Sequence, residues 1–517
     1  MKKELHILSF SDSHGYLVNQ NYSLNQTSEN GVSLLASHIQ KYKKEDRIVI
    51  DTGDTIQGSP LMYFHQLKRT LYPHPTALVY NYLHVDYFIP GNHDFNYCSD
   101  YMMQFVNSFE GTMLCGNIVY QENNQPIGLP YEIKEVAPGL KIAIIGLTTD
   151  YIPNWERREF IEHLSFLSPL EVLEKSLNEI NLLGVSYKIV VYHGGFERDL
   201  KTNLPYVDDT LENVGSRILA AFPEINLFLT GHQHRTICEK VGQTIVIQPA
   251  SHGRIISDIS LSFEQVNGDW QLIDEEMQLV PASSLKNDET VRGIMDKISH
   301  DLNEFLDIPI GHVVQNDLKI SNLFEARLHK HKIVTFINQI QLIYSGAMIS
   351  ATSLGNDITG FNEEISIRNV LSTYVYPNTL TVIKINGRTL KDALEKNAEY
   401  FIYEDHIFKF HPKFSYPKLE HYNYDMFDGI HYTIKVTNPV GKRIVSLKYA
   451  GIPVDDDQEF TLCLNNYRAS GGGEFEMYRG LEIVREISLD IAELMINYIL
   501  KKQEIIVPQI DNIRVIP

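Results

Sequence analysis

Arg47-Ile48-Val49-Ile50-Asp51-Thr52-Gly53-Asp54 is a short β-branched run that ends abruptly on Gly and Asp. It is too short for a helix, and its closure by turn-forming residues reads as a buried strand that delivers a carboxylate to a loop. Four other stretches repeat the arrangement. Leu5 to Phe10 leads to Asp12-Ser13-His14, and Tyr87 to Pro90 leads to Gly91-Asn92-His93-Asp94. Lys188 to Val191 leads to His193-Gly194, and Leu227 to Thr230 leads to Gly231-His232-Gln233-His234. Ligands of layered α/β folds sit at the carboxyl ends of strands. Residues distant in sequence are therefore expected to converge on one crevice.

Between these strands lie helical patterns. Val32 to Tyr42 reads as one helix and Pro169 to Leu183 as another, with Leu170, Val172, Leu173, Leu177 and Ile180 apolar. Residues 142–147 and 244–248 add strands, and the alternation over Ile255 to Phe263 suggests an antiparallel one. The first 283 residues are thus expected to form an α/β sandwich with a mixed sheet. Asn287 to Leu306 has the 3-4-3 apolar spacing of an amphipathic helix, with Asp288 and Glu289 in its first turn, where negative charge suits the helix dipole. It is the candidate connector, over residues 284–310. Residues 311–517 are rich in Tyr and Phe, carry strands such as Leu380 to Ile385 and Tyr432 to Val436, and lack a metal-type cluster of their own.

A chain of 517 residues exceeds one compact core, so two domains are the default. The net charge of −20 argues against a nucleic-acid polymer as partner, because phosphate backbones need basic tracks. A small anionic substrate remains compatible, since bound cations invert the local charge. The four cysteines, Cys98, Cys115, Cys238 and Cys463, are scattered and form neither a disulfide framework nor a zinc ribbon. No run approaches the roughly 18 apolar residues of a membrane span, and no membrane partner is expected. Lys2 and Lys3 look like the start of a signal peptide, but Glu4 and His6 interrupt it, so Leu5 to Phe10 is read as the first strand. The expected location is cytoplasmic for a full-length chain, and periplasmic or extracellular if a leader has been removed.

Each loop motif alone is weak, because Gly-Asp and Gly-Asn pairs usually mark turns. Together they supply Asp12, His14, Asp54, Asn92, His193, His232 and His234, a mixed oxygen and nitrogen set that suits Zn, Mn or Fe. Two divalent ions are expected, with Asp54 able to bridge them. Asp12 and His14 are two residues apart, as are His232 and His234. On an extended chain each pair would point to one side. His93 is placed to face the substrate.

In this order the motifs resemble those of the calcineurin-like metallophosphoesterases. The stretch from Asp51 to Pro60 (DTGDTIQGSP), followed by Gly91 to Tyr97 (GNHDFNY), is similar to the 5′-nucleotidase superfamily. The second half agrees: Tyr376-Pro377-Asn378-Thr379-Leu380, Ile385 to Lys391, and Leu394-Glu395 resemble its C-terminal substrate domain. The resemblance implies a four-layer-type α/β metallophosphoesterase sandwich (1–283), joined by a helix to an α+β substrate-binding domain (311–517) that closes over the metals. Tyr422 to Gly429 and Asn465 to Gly473 are closest to the 2′,3′-cyclic-nucleotide 2′-phosphodiesterase/3′-nucleotidase branch. Relatives carry Asp beside the catalytic histidine where this chain has Asn96, and GGD where it has Gly471-Gly472-Gly473. Tyr424 and Tyr467 occupy the two base-stacking positions. An Arg that many 5′-nucleotidases use for phosphate has no counterpart in Met348 to Ser353; a nucleotide entering with its 3′ side first would not need it. The resemblance thus implies His93 and Asn96 as catalytic residues, and Tyr424, Tyr467, Ser470, Gly471 and Gly472 as contacts to a small-molecule nucleotide. The alternatives are a 5′-nucleotidase or nucleotide-sugar hydrolase, and a non-catalytic nucleotide-binding protein.

Overall fold

The computed structural model describes residues 1–154, 156, 158–203, 211–314, 318–376, 378–415, 419–487 and 489–517. Pro377, quoted above in the Tyr376 motif, lies outside the described residues. The chain divides into two compact units, Met1–Asn21 with Asn25–Leu302, and Tyr22–Leu24 with Asn303–Pro517.

The first unit holds two six-stranded sheets. One runs, edge to edge, Asp269–Pro281, Ile255–Val266, Lys2–Phe10, Arg47–Asp51, Tyr87–Phe88 and Thr112–Met113. The other runs Thr236–Val241, Thr244–Pro249, Leu227–Thr230, Tyr187–His193, Leu140–Thr148 and Tyr131–Ala137. Both are mixed: the strands that lead to the ligand motifs are parallel, and antiparallel strands flank them.

The period of two along each strand decides the layers. Leu5, Ile7, Ile48 and Ile50 share one core with Ile142, Ile144, Ile189, Val191, Leu227 and Leu229, so the sheets pack face to face. The alternate residues Ala143, Ile145, Val190 and Phe228 turn the other way, onto Leu173, Leu177 and Ile180 of the helix Pro169–Ile180. On the far side of the first sheet Phe10 meets Tyr80 at 5.7 Å, and Phe88 meets Phe105 at 5.0 Å, on two further helices. The result is helix, sheet, sheet, helix. Each buried Ile or Leu contributes roughly 1.5–3 kcal/mol. A one-residue slip would turn these side chains to the wrong face, so the register is strongly specified, and with it the strand ends that carry the candidate ligands.

Helix ends differ from the sequence reading. The helix expected to reach Tyr42 stops at Ile39. Arg47 donates to the carbonyl oxygens of Ile39 and Tyr42 and takes over the role of the next turn. The helix Glu289–Asp307 forms as its spacing suggests, with Val291, Met295, Ile298, Leu302 and Leu306 buried. Among the described residues no helix is long and apolar enough to cross a membrane.

The second unit is α+β. Its main sheet runs Asp425–Asp428, Ile349–Ser353, Glu459–Asn465, Leu380–Asn386 and Ile483–Ile487, with the helix Lys332–Ser345 packed on it. Two buried ion pairs tie its loops: Lys330 to Asp428, and Arg468 Nε to Asp425 at 2.8 Å.

Candidate active site

The loops that follow the strands are not extended. Asp12, His14, Asp54, His232 and His234 have φ of 50°, 48°, 56°, 68° and 55°. Non-glycine residues rarely enter this left-handed region, and when they do they gather at functional sites. The chain there is not extended, so alternation does not aim either pair, although Asp12 and His14 still face one site as expected. Tight left-handed turns aim the side chains instead, and they separate the second pair. His234 joins Asp12 and His14, whereas His232 joins Asp54 and His193. Within each group the ligand atoms lie within 4.8 Å of one another. Asn92 reaches the second group, with Oδ1 2.8 Å from His232 Nδ1 and 3.3 Å from His193 Nε2.

The hydrogen bonds to the outer edges of these imidazoles show what the inner edges require. His193 Nδ1 lies 2.6 Å from Thr52 O, and His14 Nδ1 lies 3.0 Å from Gln57 O. A carbonyl only accepts, so both Nδ1 atoms donate, and Nε2 of each neutral ring offers a lone pair. His232 Nε2 similarly faces Glu212 Oε1 at 2.8 Å, which leaves its Nδ1 as the acceptor. The inner atoms converge on one another. His14 Nε2 is 3.1 Å from His234 Nε2, and His193 Nε2 is 3.2 Å from the buried Asp54 Oδ2. Lone pairs at such distances repel unless a proton or a metal cation lies between them. The donor set fits two divalent ions, with backbone carbonyls orienting the imidazoles from behind.

Among themselves these groups pair by charge. Burial alone would raise the Asp54 carboxyl, but His193, His93 and His14 hold it well below its ordinary value. Burial likewise opposes ionisation of Asp12, and His234 overcomes it. Burial and then His234 push His14 down to about 4. At His193 burial works downward too, yet Asp54 outweighs it and raises the ring to about 10.

Several supporting residues escaped the sequence reading. Asp94 accepts from the amides of Asp54 (2.9 Å), Thr55 (2.8 Å), Ile56 (2.9 Å) and Gly91 (2.7 Å), and so pins the Asp54 turn to the Asn92 loop. Its place two residues after Asn92 was the available signal. A Cβ at Gly91 would collide with Asp54 and the His193 ring. His252 lies with its ring 5.4 Å from that of His14, and its amide donates to Asp12 O at 2.7 Å. Nothing in the Ser251-His252-Gly253 segment marks it as a neighbour of Asp12.

His93 and Asn96 are brought together: Nδ1 and Oδ1 lie 2.7 Å apart. The His93 amide donates to Asp54 Oδ1 at 2.7 Å, and its ring lies 5.3 Å from that of His14.

In the second unit the structure corrects one residue. Tyr424 is fully buried, stacked on Tyr400 at 4.8 Å and edge-on to Phe401 at 5.1 Å. No base can reach it. It sits one residue before a buried strand and turns into the core. Tyr467 is 45% exposed. The tyrosines beside it are Tyr422, half-buried, and Tyr376, whose rings lie 5.6 Å apart. Burial raises the Tyr422 phenol, and the nearby Tyr467 raises it further. Ser470, Gly471 and Gly472 fold back on Tyr467: the Ser470 hydroxyl donates to Tyr467 O at 2.8 Å, and Gly472 N donates to the same oxygen at 3.0 Å. A side chain at Gly472 would run into the Tyr467 ring.

Comparison with known proteins places this geometry. Residues 5–236 match the calcineurin-like phosphoesterase family model, and residues 309–480 match that of the 5′-nucleotidase C-terminal domain. A Staphylococcus aureus protein provisionally named a 5′-nucleotidase, solved in complex with alpha-ketoglutarate, is 32% identical over 100% of both chains, with a TM-score of 0.80. The trifunctional nucleotide phosphoesterase protein YfkN of Bacillus subtilis is 25% identical over 98% of this chain, which spans 38% of that protein's length. The 2′,3′-cyclic-nucleotide 2′-phosphodiesterase/3′-nucleotidase of Salmonella typhimurium is 26% identical over 91% of this chain and 82% of its own.

Proposed function

The chain belongs to the 5′-nucleotidase family of metal-dependent phosphoesterases, and from that premise we propose that it is a 2′,3′-cyclic-nucleotide 2′-phosphodiesterase and 3′-nucleotidase. The observation that carries the reading is the pairing of His93 with Asn96 at 2.7 Å, where 5′-nucleotidases are expected to have a carboxylate. The similarity to the Salmonella protein of that name, across nine tenths of this chain, supports it.

In this reading Asp12, His14 and His234 would hold one divalent cation, and Asp54, Asn92, His193 and His232 would hold the other. The pair is drawn from Zn, Mn or Fe. Such ions supply Lewis acidity and a water of lowered pKa. The chain's own residues do the rest. Thr52 O and Gln57 O keep two imidazoles in the ligating orientation, and Asp94 keeps the Asp54 turn rigid. His93 in its imidazolium form donates from Nε2 to the phosphoryl oxygens as charge develops on them. Water adds to phosphorus, the bond from phosphorus to O2′ breaks, and O2′ takes a proton, which leaves a 3′-nucleotide. A second hydrolysis gives nucleoside and inorganic phosphate. Tyr467 with Tyr422 stacks the base, a contact tolerant of base identity. The segment 284–310 serves as the connector.

The 5′-nucleotidase reading is the second one, favoured by the name of the Staphylococcus aureus protein. Purified enzyme assayed with each metal on 2′,3′-cAMP, 3′-AMP and 5′-AMP decides between them. The first two are expected to exceed 5′-AMP in kcat/KM by at least about tenfold, some 1.4 kcal/mol of transition-state binding. Preference for 5′-AMP would assign the chain to the second reading.

A further inference from the structure

Asn96 stands between a histidine and a carboxylate. Its Oδ1 lies 2.7 Å from His93 Nδ1, and its Nδ2 donates to Glu156 Oε2, also at 2.7 Å. Glu156 comes from the segment after the strand Leu140–Thr148, sixty residues along the chain, and its own amide donates to Ile152 O at 3.0 Å. An ionised carboxylate can only accept. Glu156 therefore decides which end of the Asn96 amide faces the histidine: the NH2 is taken, and the oxygen is turned inward. His93 Nδ1 must then carry the hydrogen, which leaves Nε2 for the substrate side. An amide with no partner on Nδ2 could turn over and present NH2 to Nδ1. The ring would then have to change tautomer or break the contact.

We propose that Glu156 is a positioning residue for His93, acting through Asn96, so that an amide and a more distant carboxylate together do what one carboxylate beside the histidine would do. The inference rests on the reading of His93 as the group that acts on the phosphoryl oxygens. It makes an unusual demand on substitutions. Aspartate at 96 needs no orienting, because both its oxygens accept. Next to Glu156, however, it sets two carboxylates against each other. Removing Glu156 must therefore harm the enzyme that has Asn96 and help the one that has Asp in its place.

The test compares Glu156→Ala, Asn96→Asp, the double variant, Glu156→Gln and His93→Ala. Turnover of p-nitrophenyl phosphate, which carries no base, keeps the outcome independent of nucleotide preference. Metal content and melting temperature are measured alongside. Glu156→Ala is expected to lower kcat on the order of tenfold, as loss of an outer partner does, with KM and metal content unchanged. Asn96→Asp lowers kcat as well, and adding Glu156→Ala to it restores most of the loss. Glu156→Gln, whose amide oxygen still accepts, retains most of what Glu156→Ala loses. A second readout needs no turnover. The imidazole Nδ1–H proton resonance that disappears in His93→Ala should persist in Glu156→Gln and in the double variant, and broaden in Glu156→Ala. Equal cost of Glu156→Ala in both backgrounds, or no cost with Asn96 present, overturns the proposal while a depressed His93→Ala keeps the underlying reading. A His93→Ala enzyme as fast as wild type overturns both. If Glu156→Ala does not fold, Glu156→Gln is expected to be nearly neutral beside Asn96 and to restore kcat in the Asn96→Asp enzyme, since glutamine can donate to the new carboxylate; absence of that rescue overturns the proposal.

Discussion

Asp12 and Asp54 are 0% and 1% exposed, whereas Tyr467 is 45% exposed. The candidate ligand loops hang from five strand ends, and His14, His193, His232, Asp12 and Asp54 are each held by a backbone carbonyl, an amide or a second carboxylate. The tyrosine loops hang from one buried cation. Arg468 pairs with Asp425, donates to Tyr422 O at 3.1 Å and also to Gly472 O, and lies under the Phe475 ring at 4.2 Å. It thus braces both loops from beneath while the rings above stay open. Under the proposed function the difference follows from the task. Stabilising developing charge demands groups already aimed, in a site poor in water. Stacking a base demands only a flat face, and every base has one.

The largest test of this contrast is Asp54→Ala. Hydrolysis should fall by roughly a thousandfold or more, since several kcal/mol of charge stabilisation is lost, and chelation of the wild type should do the same. Binding of 3′-AMP, followed by tyrosine fluorescence, should survive the substitution. Loss of both together would show that the regions are not separable. The tyrosines come next. Tyr424→Ala should lower stability by about 3–5 kcal/mol, as for other large core truncations, visible as a drop in Tm. Tyr467→Ala should leave Tm in place and weaken nucleotide binding by about 1–3 kcal/mol, read as a raised KM with p-nitrophenyl phosphate unaffected. The reverse pattern would return the platform to Tyr424. The smallest effect separates burial from chemistry. Asp258 is a buried carboxylate away from the ligands, bonded to His6 (2.8 Å), His38 (2.9 Å) and Tyr42 (2.7 Å). Burial would raise it, but these partners hold it at about 2. Its contribution is therefore present above the unfolded value near 4 and lost as pH falls through 2. Asp258→Asn should cost about 2 kcal/mol near neutrality, with the difference closing toward pH 2 and kcat unchanged throughout. An altered kcat would tie this polar centre to the site.

The strands were legible in the sequence because their signal is local. Ile48, Val49 and Ile50 alternate between two cores with a period of two, and Gly53 or Gly91 punctuates each end. The residue types at those ends follow directly, so Asp12, His14, Asp54, Asn92, His193, His232 and His234 were readable as candidate donors. How they divide was not. His232 and His234 part company because their loop turns left-handed, a conformation that depends on what each side chain meets. Burial at a loop is likewise decided by distant segments. Tyr422 and Tyr424 are alike in sequence, yet Tyr400 and Phe401, more than twenty residues upstream, enclose only the second. Asp94 and Glu156 acquire their roles only when residues from other strands bring amides and Asn96 to them. The sequence by itself determined the strand pattern and the donor chemistry, which short-range periodicity carries. Only the tertiary structure decided which donors face one another, because that depends on contacts between segments remote along the chain.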